Sequence, residues 1–193
     1  PLMLRHRLHA RIVRAPGNGS NGGDAERPEP AVEVLNEVVI DRGAAASLAV
    51  LRCYVDAHFA TTVQGDGLIL ATPTGSTAYN LAAGGAMVHP AVPCTLFTPI
   101  CPHTLSSRPV VFPEHVELRV QVPPDARAEA YASFDGRARA VLRPGDAVVV
   151  RASRWPVPMA CSLDASHDWF LSVREGLHWN RRQAQKGNGG GGA

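Results

Sequence analysis

A chain of 193 residues with 45% apolar and 19% charged residues has the composition of one globular domain and is not a wholly disordered polymer. Its 19 basic and 17 acidic residues leave a formal charge of +2, too even a balance to mark a nucleic-acid or membrane-surface protein. No apolar run approaches the roughly 18 residues that cross a bilayer, and no secretory pattern stands at the start.

The chain opens on Pro1 rather than Met and is expected to begin partway through a longer protein. From Leu4 to Val13 apolar and basic residues alternate, which predicts a strand with one wet face. Ala15 to Pro30 is dense in Gly, Pro, Asn and charge and predicts a long flexible loop. Val34 to Ile40 is β-branched and short, bounded by the turn-like Asp41-Arg42-Gly43. Ala49 to Phe59, Gly67 to Ala71, Val116 to Val122, Ala130 to Phe134 and Asp146 to Ala152 carry further strand signals.

Asn80 to Met87 suits a short helix weakened by Gly84 and Gly85. The clearest helix runs from about Asp168 to Arg182, with Trp169, Phe170, Val173 and Leu177 on an apolar stripe and Asp164 or Ser166 as its cap. Many short strands at this spacing predict a mainly β, two-sheet sandwich closed by a C-terminal helix. The expected division is a strand over 1–14, a flexible loop over 15–31, a β-rich domain over 32–165, the helix over 166–183 and a disordered tail over 184–193.

The four cysteines, Cys53, Cys94, Cys101 and Cys161, fit neither a metal knuckle nor a disulfide framework, and no metal site is expected. Each sits in an apolar or β-rich stretch and is expected as a buried free thiol, which favours a reducing, cytoplasmic setting.

Chemistry concentrates in two places. Gly65-Asp66-Gly67 leads into a strand and then into Thr72-Pro73-Thr74-Gly75-Ser76-Thr77-Ala78-Tyr79, a cluster of hydroxyls around a glycine. Glycine lets backbone approach a ligand, and hydroxyls and free N–H groups bond sugar or phosphate oxygens. The cluster is not a P-loop, because no GxxxxGK[ST] occurs, and a plain turn has the same composition. The second place is Asn36-Glu37, a polar pair in an apolar strand, where a buried carboxylate would need a partner. Asp135-Gly136 has the composition of a type I′ turn. His89 and His103 lie beside prolines with no triad or ligand spacing around them.

Taken together, LNEVVIDRG (Leu35 to Gly43), the run from Thr61 to Pro90 containing GDG and TPTGSTAY, TPICPHTLSSRPVVFP (Thr98 to Pro113), SFDGR (Ser133 to Arg137) and DWF…LHWN (Asp168 to Asn180) resemble the NAD kinase family, animal cytosolic type. The resemblance covers roughly Val32 to Arg182 and implies the C-terminal domain of an α/β plus β fold. Residues 1–14 would then be the strand joining an N-terminal α/β domain. It also implies transfer of the ATP γ-phosphoryl to the 2′-hydroxyl of the adenosine ribose of NAD, with a divalent metal (Mg) accompanying ATP. Asn36 and Glu37 would hold the ribose and adenine, and Thr74, Thr77, Ala78, Tyr79 and Ala82 would line the nucleotide pockets. Asp66 would approach the nicotinamide end from a neighbouring subunit of a homo-oligomer, and Asp135 would lie near the diphosphate and metal.

The family's catalytic aspartate belongs to a GGDGT motif that this sequence lacks; Gly22-Gly23-Asp24 is followed by Ala25 and Glu26. No catalytic residue is therefore assigned within the chain, and the chain alone is expected to be inactive. A diacylglycerol- or sphingosine-type lipid kinase shares the two-domain plan, and a non-catalytic NAD-binding oligomerisation module is the non-enzyme alternative.

Overall fold

Alternating apolar and β-branched residues set most of the chain into strands, and the computed structural model describes residues 1–18 and 25–181. In chain order the strands begin with β1 (Leu2–Arg5), β2 (Leu8–Arg14), β3 (Arg27–Pro28), β4 (Val32–Val34), β5 (Glu37–Asp41), β6 (Ala49–Val55), β7 (His58–Gly65) and β8 (Gly67–Ala71). A 3-10 turn (Thr74–Thr77) and the one-turn helix α1 (Tyr79–Ala82) follow. Then come β9 (Cys94–Ile100), β10 (Val110–Pro113), β11 (Leu118–Gln121), β12 (Ala130–Phe134), β13 (Arg137–Leu142), β14 (Ala147–Ala152), β15 (Val157–Ala160) and helix α2 (Ala165–Gly176).

One sheet has the order β10-β9-β8-β5-β12-β13 and the other β3-β2-β14-β11-β6-β7, with β4 also on β2 and β1-β15 a separate ribbon. The two larger sheets face each other as the expected sandwich. Ile40, Leu68, Leu70 and Ala132 from the first sheet meet Leu51, Val120, Val148 and Val150 from the second in one core. Each such buried Leu, Ile or Val contributes about 2 kcal/mol of apolar burial. A smaller cluster, Val39, Ile69, Ala71, Leu96 and Ile100, lies on the outer face of the first sheet, where Ala83 and Val88 cover it.

The double coverage explains why β9 carries no alternation: all seven of its residues are buried. The N-terminal strand is interrupted between Arg5 and Leu8, and β2 pairs with β14 from Leu8 to Val13, so it is an interior strand of the sandwich. The stretch expected as a flexible loop contributes β3, which pairs with β2 at Val13 and Arg14. Asp146, fully buried, fastens the start of that stretch by accepting from Ala15 N (2.9 Å), Asn18 Nδ2 (2.9 Å), Arg14 Nη1 (2.8 Å) and Arg143 N (3.0 Å). Burial works to raise its carboxyl, yet these donors outweigh burial and hold it below the usual carboxylate range. The Gly22-Gly23-Asp24 tripeptide and the tail from Lys186 to Ala193 lie outside the described residues.

Helix α2 starts where its cap predicts: Asp164 accepts from Ser166 N at 2.8 Å and His167 N at 2.9 Å. It ends at Gly176, earlier than the expected Arg182, because His178 and Asn180 adopt positive φ (52° and 56°). Val173 is its buried anchor at 2% exposure, while Phe170, Leu171, Leu177 and Trp179 stay exposed. The cysteines divide: Cys53 and Cys94 are buried, whereas Cys101 is exposed and Cys161 half-buried, and all four thiols are free. Burial pushes the Cys53 thiol up to about 12.

Candidate functional site

The segment expected as one strand from Val34 to Ile40 is broken at Leu35-Asn36, and the break builds the site. Asp135 lies in the β12–β13 turn at φ 48°, with Gly136 at 69°, the positive pair that a type I′ hairpin requires. Its carboxylate accepts from Leu35 N (2.8 Å), Asn36 N (2.7 Å) and Glu37 N (3.2 Å), and its own N–H donates to Glu37 O (3.0 Å). Backbone donors that would have continued the ladder are spent on one side chain.

The hydroxyl turn closes on the same three residues from the other side. β5 pairs with β8 so that Glu37 lies opposite Ala71, which delivers Thr72 beside the break. Thr72 N donates to Asn36 O (2.9 Å), Thr72 Oγ1 donates to Leu35 O (2.6 Å) and accepts from Gly75 N (3.0 Å). Gly75 then rests on the Asn36 backbone: an added Cβ would stand 2.6 Å from the Asn36 carbonyl carbon and nearer still to its oxygen. Glycine is needed here for approach.

The other polar residues of the turn divide between holding and offering. Ser76 Oγ donates to Val88 O (3.1 Å) and accepts from Val88 N (2.9 Å). Asn80, fully buried, donates to Ser76 O and Ala86 O (both 3.1 Å) and accepts from Thr98 Oγ1 (2.6 Å). Thr72, Ser76, Asn80 and Thr98 are therefore scaffold. Sequence reading passed over Asn80 and Thr98, whose only signal is a polar residue inside an apolar run. Thr74, Thr77 and Ala78 are half-buried, and Tyr79 and Ala82 are exposed, so these are the residues of the turn left accessible to a ligand.

Glu37 is buried at 8% exposure, and its Oε2 has no hydrogen-bond partner among the described residues. Burial, with the Asp135 charge adding to it, raises its carboxyl above the ordinary value of 4.5. A raised folded-state value means that the native chain keeps a proton that the unfolded chain has already released. This contribution to stability is thus present below about pH 4.5 and is lost as pH rises through the folded value. Glu37→Gln is expected to stabilise the chain at pH 7 by about 1 kcal/mol, roughly 2–4 °C in Tm, with the gain vanishing near pH 4. Thermal melts of both proteins at the two pH values check this, and a destabilised variant at pH 7 would contradict it.

Asp66 sits apart. Glu37 and Asn36 lie at the Ala71 end of the β5–β8 pair and Asp66 at the Gly67 end, a separation of about 15 Å along the strands. Its carboxylate accepts from Arg42 Nε at 2.7 Å, and that hydrogen bond holds it below the usual carboxylate range. Arg42 went unread in the sequence, although Asp41-Arg42-Gly43 at the end of β5 is what faces Asp66 across the sheet. Tyr79 leans toward this end: burial first, then the carboxylates of Asp41 and Asp66, raise its phenol. Within one chain, then, Asn36, Glu37, Asp135 and the start of the turn at Thr72 to Gly75 come together, while Asp66 stands at the other end of the β5–β8 pair, toward Tyr79. No group of three or more His, Cys, Asp or Glu side chains among the described residues is placed to hold a metal ion.

This is the class of domain that comparison also identifies: residues 35–161 match the ATP-NAD kinase C-terminal domain. The chain belongs to the NAD kinase family. It is 54% identical over 188 residues to a probable NAD kinase 1 of Oryza sativa subsp. japonica, covering 97% of this chain and 34% of that protein. To the chloroplastic NAD kinase 2 of Arabidopsis thaliana it is 49% identical over 185 residues, 96% of this chain and 18% of that one. The chain thus spans well under half the length of either relative. A solved yeast NADH kinase complexed with NADH superposes with a TM-score of 0.82 at 31% identity, covering 96% of this chain and 51% of that one.

Proposed function

We propose that this chain is the NAD-holding half of an NAD kinase, which moves the γ-phosphoryl of ATP to the 2′-hydroxyl of the adenosine ribose of NAD and releases ADP and NADP. The observation that carries the reading is the double clamp on Leu35-Asn36-Glu37, by Asp135 on one side and Thr72-Gly75 on the other. It fixes the backbone at Asn36 and Glu37, whose Oε2 is buried without a partner among the described residues, next to the turn that carries the half-buried Thr74 and Thr77. A carboxylate and an amide so held suit the hydroxyl pair of a ribose and the amino edge of an adenine. Asp135, whose carboxylate is occupied by three amides, is assigned to holding this segment.

Phosphoryl transfer depends on positioning and charge compensation more than on covalent help. It also needs a group to receive the acceptor's proton. No Gly-Gly-Asp-Gly-Thr occurs in the sequence, so that group is assigned elsewhere than in these residues. The divalent cation enters with ATP, whose β- and γ-phosphate oxygens it bridges. The active assembly is a homo-oligomer in the cytoplasm. Supporting this, Asp66 lies about 15 Å along the strands from Asn36 and Glu37 and is half-exposed beside Arg42, and the four thiols are free.

Calorimetry with NAD and an assay for NADP formed with MgATP test the reading on this chain. Binding of NAD with no NADP produced is the expected result. Absence of binding would sink the NAD reading, and turnover matching a complete kinase would sink the assignment of the base elsewhere.

A further inference from the structure

The chain passes between the sandwich and the β1–β15 ribbon through two short crossings, His6-Arg7 between β1 and β2 and Ser153 to Pro156 between β14 and β15. The crossings are tied to each other. Ser153 N donates to Arg7 O (2.9 Å), Arg7 Nε donates to Trp155 O, and Trp155 N donates to Ser153 Oγ (2.9 Å). These bonds fix the Trp155 backbone, yet its side chain is 69% exposed. An indole held this way is a preorganised face for a flat ring.

Trp155 lines a cavity of about 400 Å³, within the roughly 300–1,000 Å³ of small-molecule pockets. Strand register sets Glu33 of β4, His9 of β2 and Arg151 of β14 side by side in its lining. Their chain neighbours Val34, Leu8 and Val150 are buried in the core, so these three point away from it. Glu33 Oε1 lies 2.8 Å from His9 Nδ1, and Glu114 Oε2 lies 2.8 Å from His6 Nδ1. Arg151 and Arg154 are exposed and enter no ion pair among the described residues. Counting histidine as neutral, the two guanidiniums and two carboxylates of the lining cancel, so the cavity is dipolar without net charge.

That pattern selects among ligands. A phosphate would meet two carboxylates, a metal ion would meet two guanidiniums, and an uncharged ring would leave all four charges unused. A zwitterion that carries a flat ring engages every group: its carboxylate pairs with guanidiniums, its ammonium with carboxylates, and its ring with the indole.

We propose that this cavity is a second ligand site, for a free aromatic α-amino acid, with the carboxylate on Arg151 and Arg154, the ammonium on Glu33 and Glu114, and the ring on Trp155. It shares no residue with the clamp on Leu35-Asn36-Glu37 and does not depend on the NAD reading.

L-Phenylalanine is the probe, because its ring absorbs at shorter wavelength than indole and leaves tryptophan emission readable. Calorimetry on the unaltered chain is expected to give a Kd on the order of 1 mM or tighter, as suits a ligand of this size. In Trp169→Phe/Trp179→Phe, where Trp155 is the sole tryptophan, binding shifts the emission to the blue. Hydrocinnamate, phenethylamine and L-alanine lack the ammonium, the carboxylate and the ring in turn, and each binds at least ten-fold more weakly. Trp155→Ala weakens L-phenylalanine about ten-fold, and Arg151→Gln/Arg154→Gln at least as much. All three side chains are exposed, so both variants keep the melting temperature of the parent. The arginine variant also leaves the weaker binding of phenethylamine unchanged, which a general loss of structure would not. No heat with the unaltered chain at about 10 mM L-phenylalanine overturns the site. So does a missing emission shift in the folded single-tryptophan chain, equal binding of any of the three partial ligands, or an unchanged Kd in Trp155→Ala or in the arginine variant.

Discussion

Gly75→Ala is expected to abolish measurable NAD binding and to destabilise the chain by about 2–3 kcal/mol. The cause is proximity, since the new methyl would stand 2.6 Å from the Asn36 carbonyl carbon and 2.9 Å from the Asn36 Cα. A flexible side chain would swing aside, but these are backbone atoms, and both neighbours of the break are tied down. Asp135 grips the amides of Leu35, Asn36 and Glu37, and Thr72 grips the Leu35 and Asn36 carbonyls. The turn must therefore lift away from the break, which separates Thr74 and Thr77 from Asn36 and Glu37. Gly176→Ala is the control: its methyl enters open space, and its melting temperature should stay within about 1–2 °C of the parent. Thermal melts of both variants and calorimetry on Gly75→Ala check the contrast. Gly75→Ala binding NAD as the parent does would place the ligand away from this turn.

The clamp also shows where sequence patterns stop being informative. Strands with one wet face, such as Leu118–Gln121 and Ala130–Phe134, alternate buried and half-buried residues and are visible as alternation. β9 is covered on both faces, by the core and by the segment around Ala83 and Val88, so its pattern is a featureless apolar run. The break at Leu35-Asn36 was invisible for a different reason. Nothing within Val34 to Ile40 disfavours a continuous strand; a carboxylate about a hundred positions away takes the amides. Asn36, Glu37 and the hydroxyl turn stand out as polar residues in apolar surroundings, and the fold brings Asn36 against that turn. That polar signal did not separate Ser76 and Asn80, which hold the turn, from Thr74 and Thr77, which face outward, because the two kinds have the same chemistry and differ only in which way the backbone aims them.

Asp135→Ala is expected to cost about 3–4 kcal/mol of stability and at least ten-fold in NAD affinity. Three amides lose a charged acceptor, and alanine is strained at a position held at φ 48°, where Asp and Asn are tolerated. Asp135→Asn separates these losses. It keeps the backbone conformation and one acceptor oxygen for Asn36 N and Glu37 N. At Leu35 N it sets an amide NH₂ against a donor, so about half the loss should remain. The pair of variants also decides what Asp135 is for. An aspartate that met the diphosphate or its metal would lose affinity in the Asn form with stability almost untouched. A residue that acts by holding Asn36 and Glu37 loses both together, in the same proportion across Asn and Ala, because affinity falls only as the segment it grips is released. Melting temperature plotted against Kd for the three proteins distinguishes the two outcomes, and a common slope assigns Asp135 to the clamp.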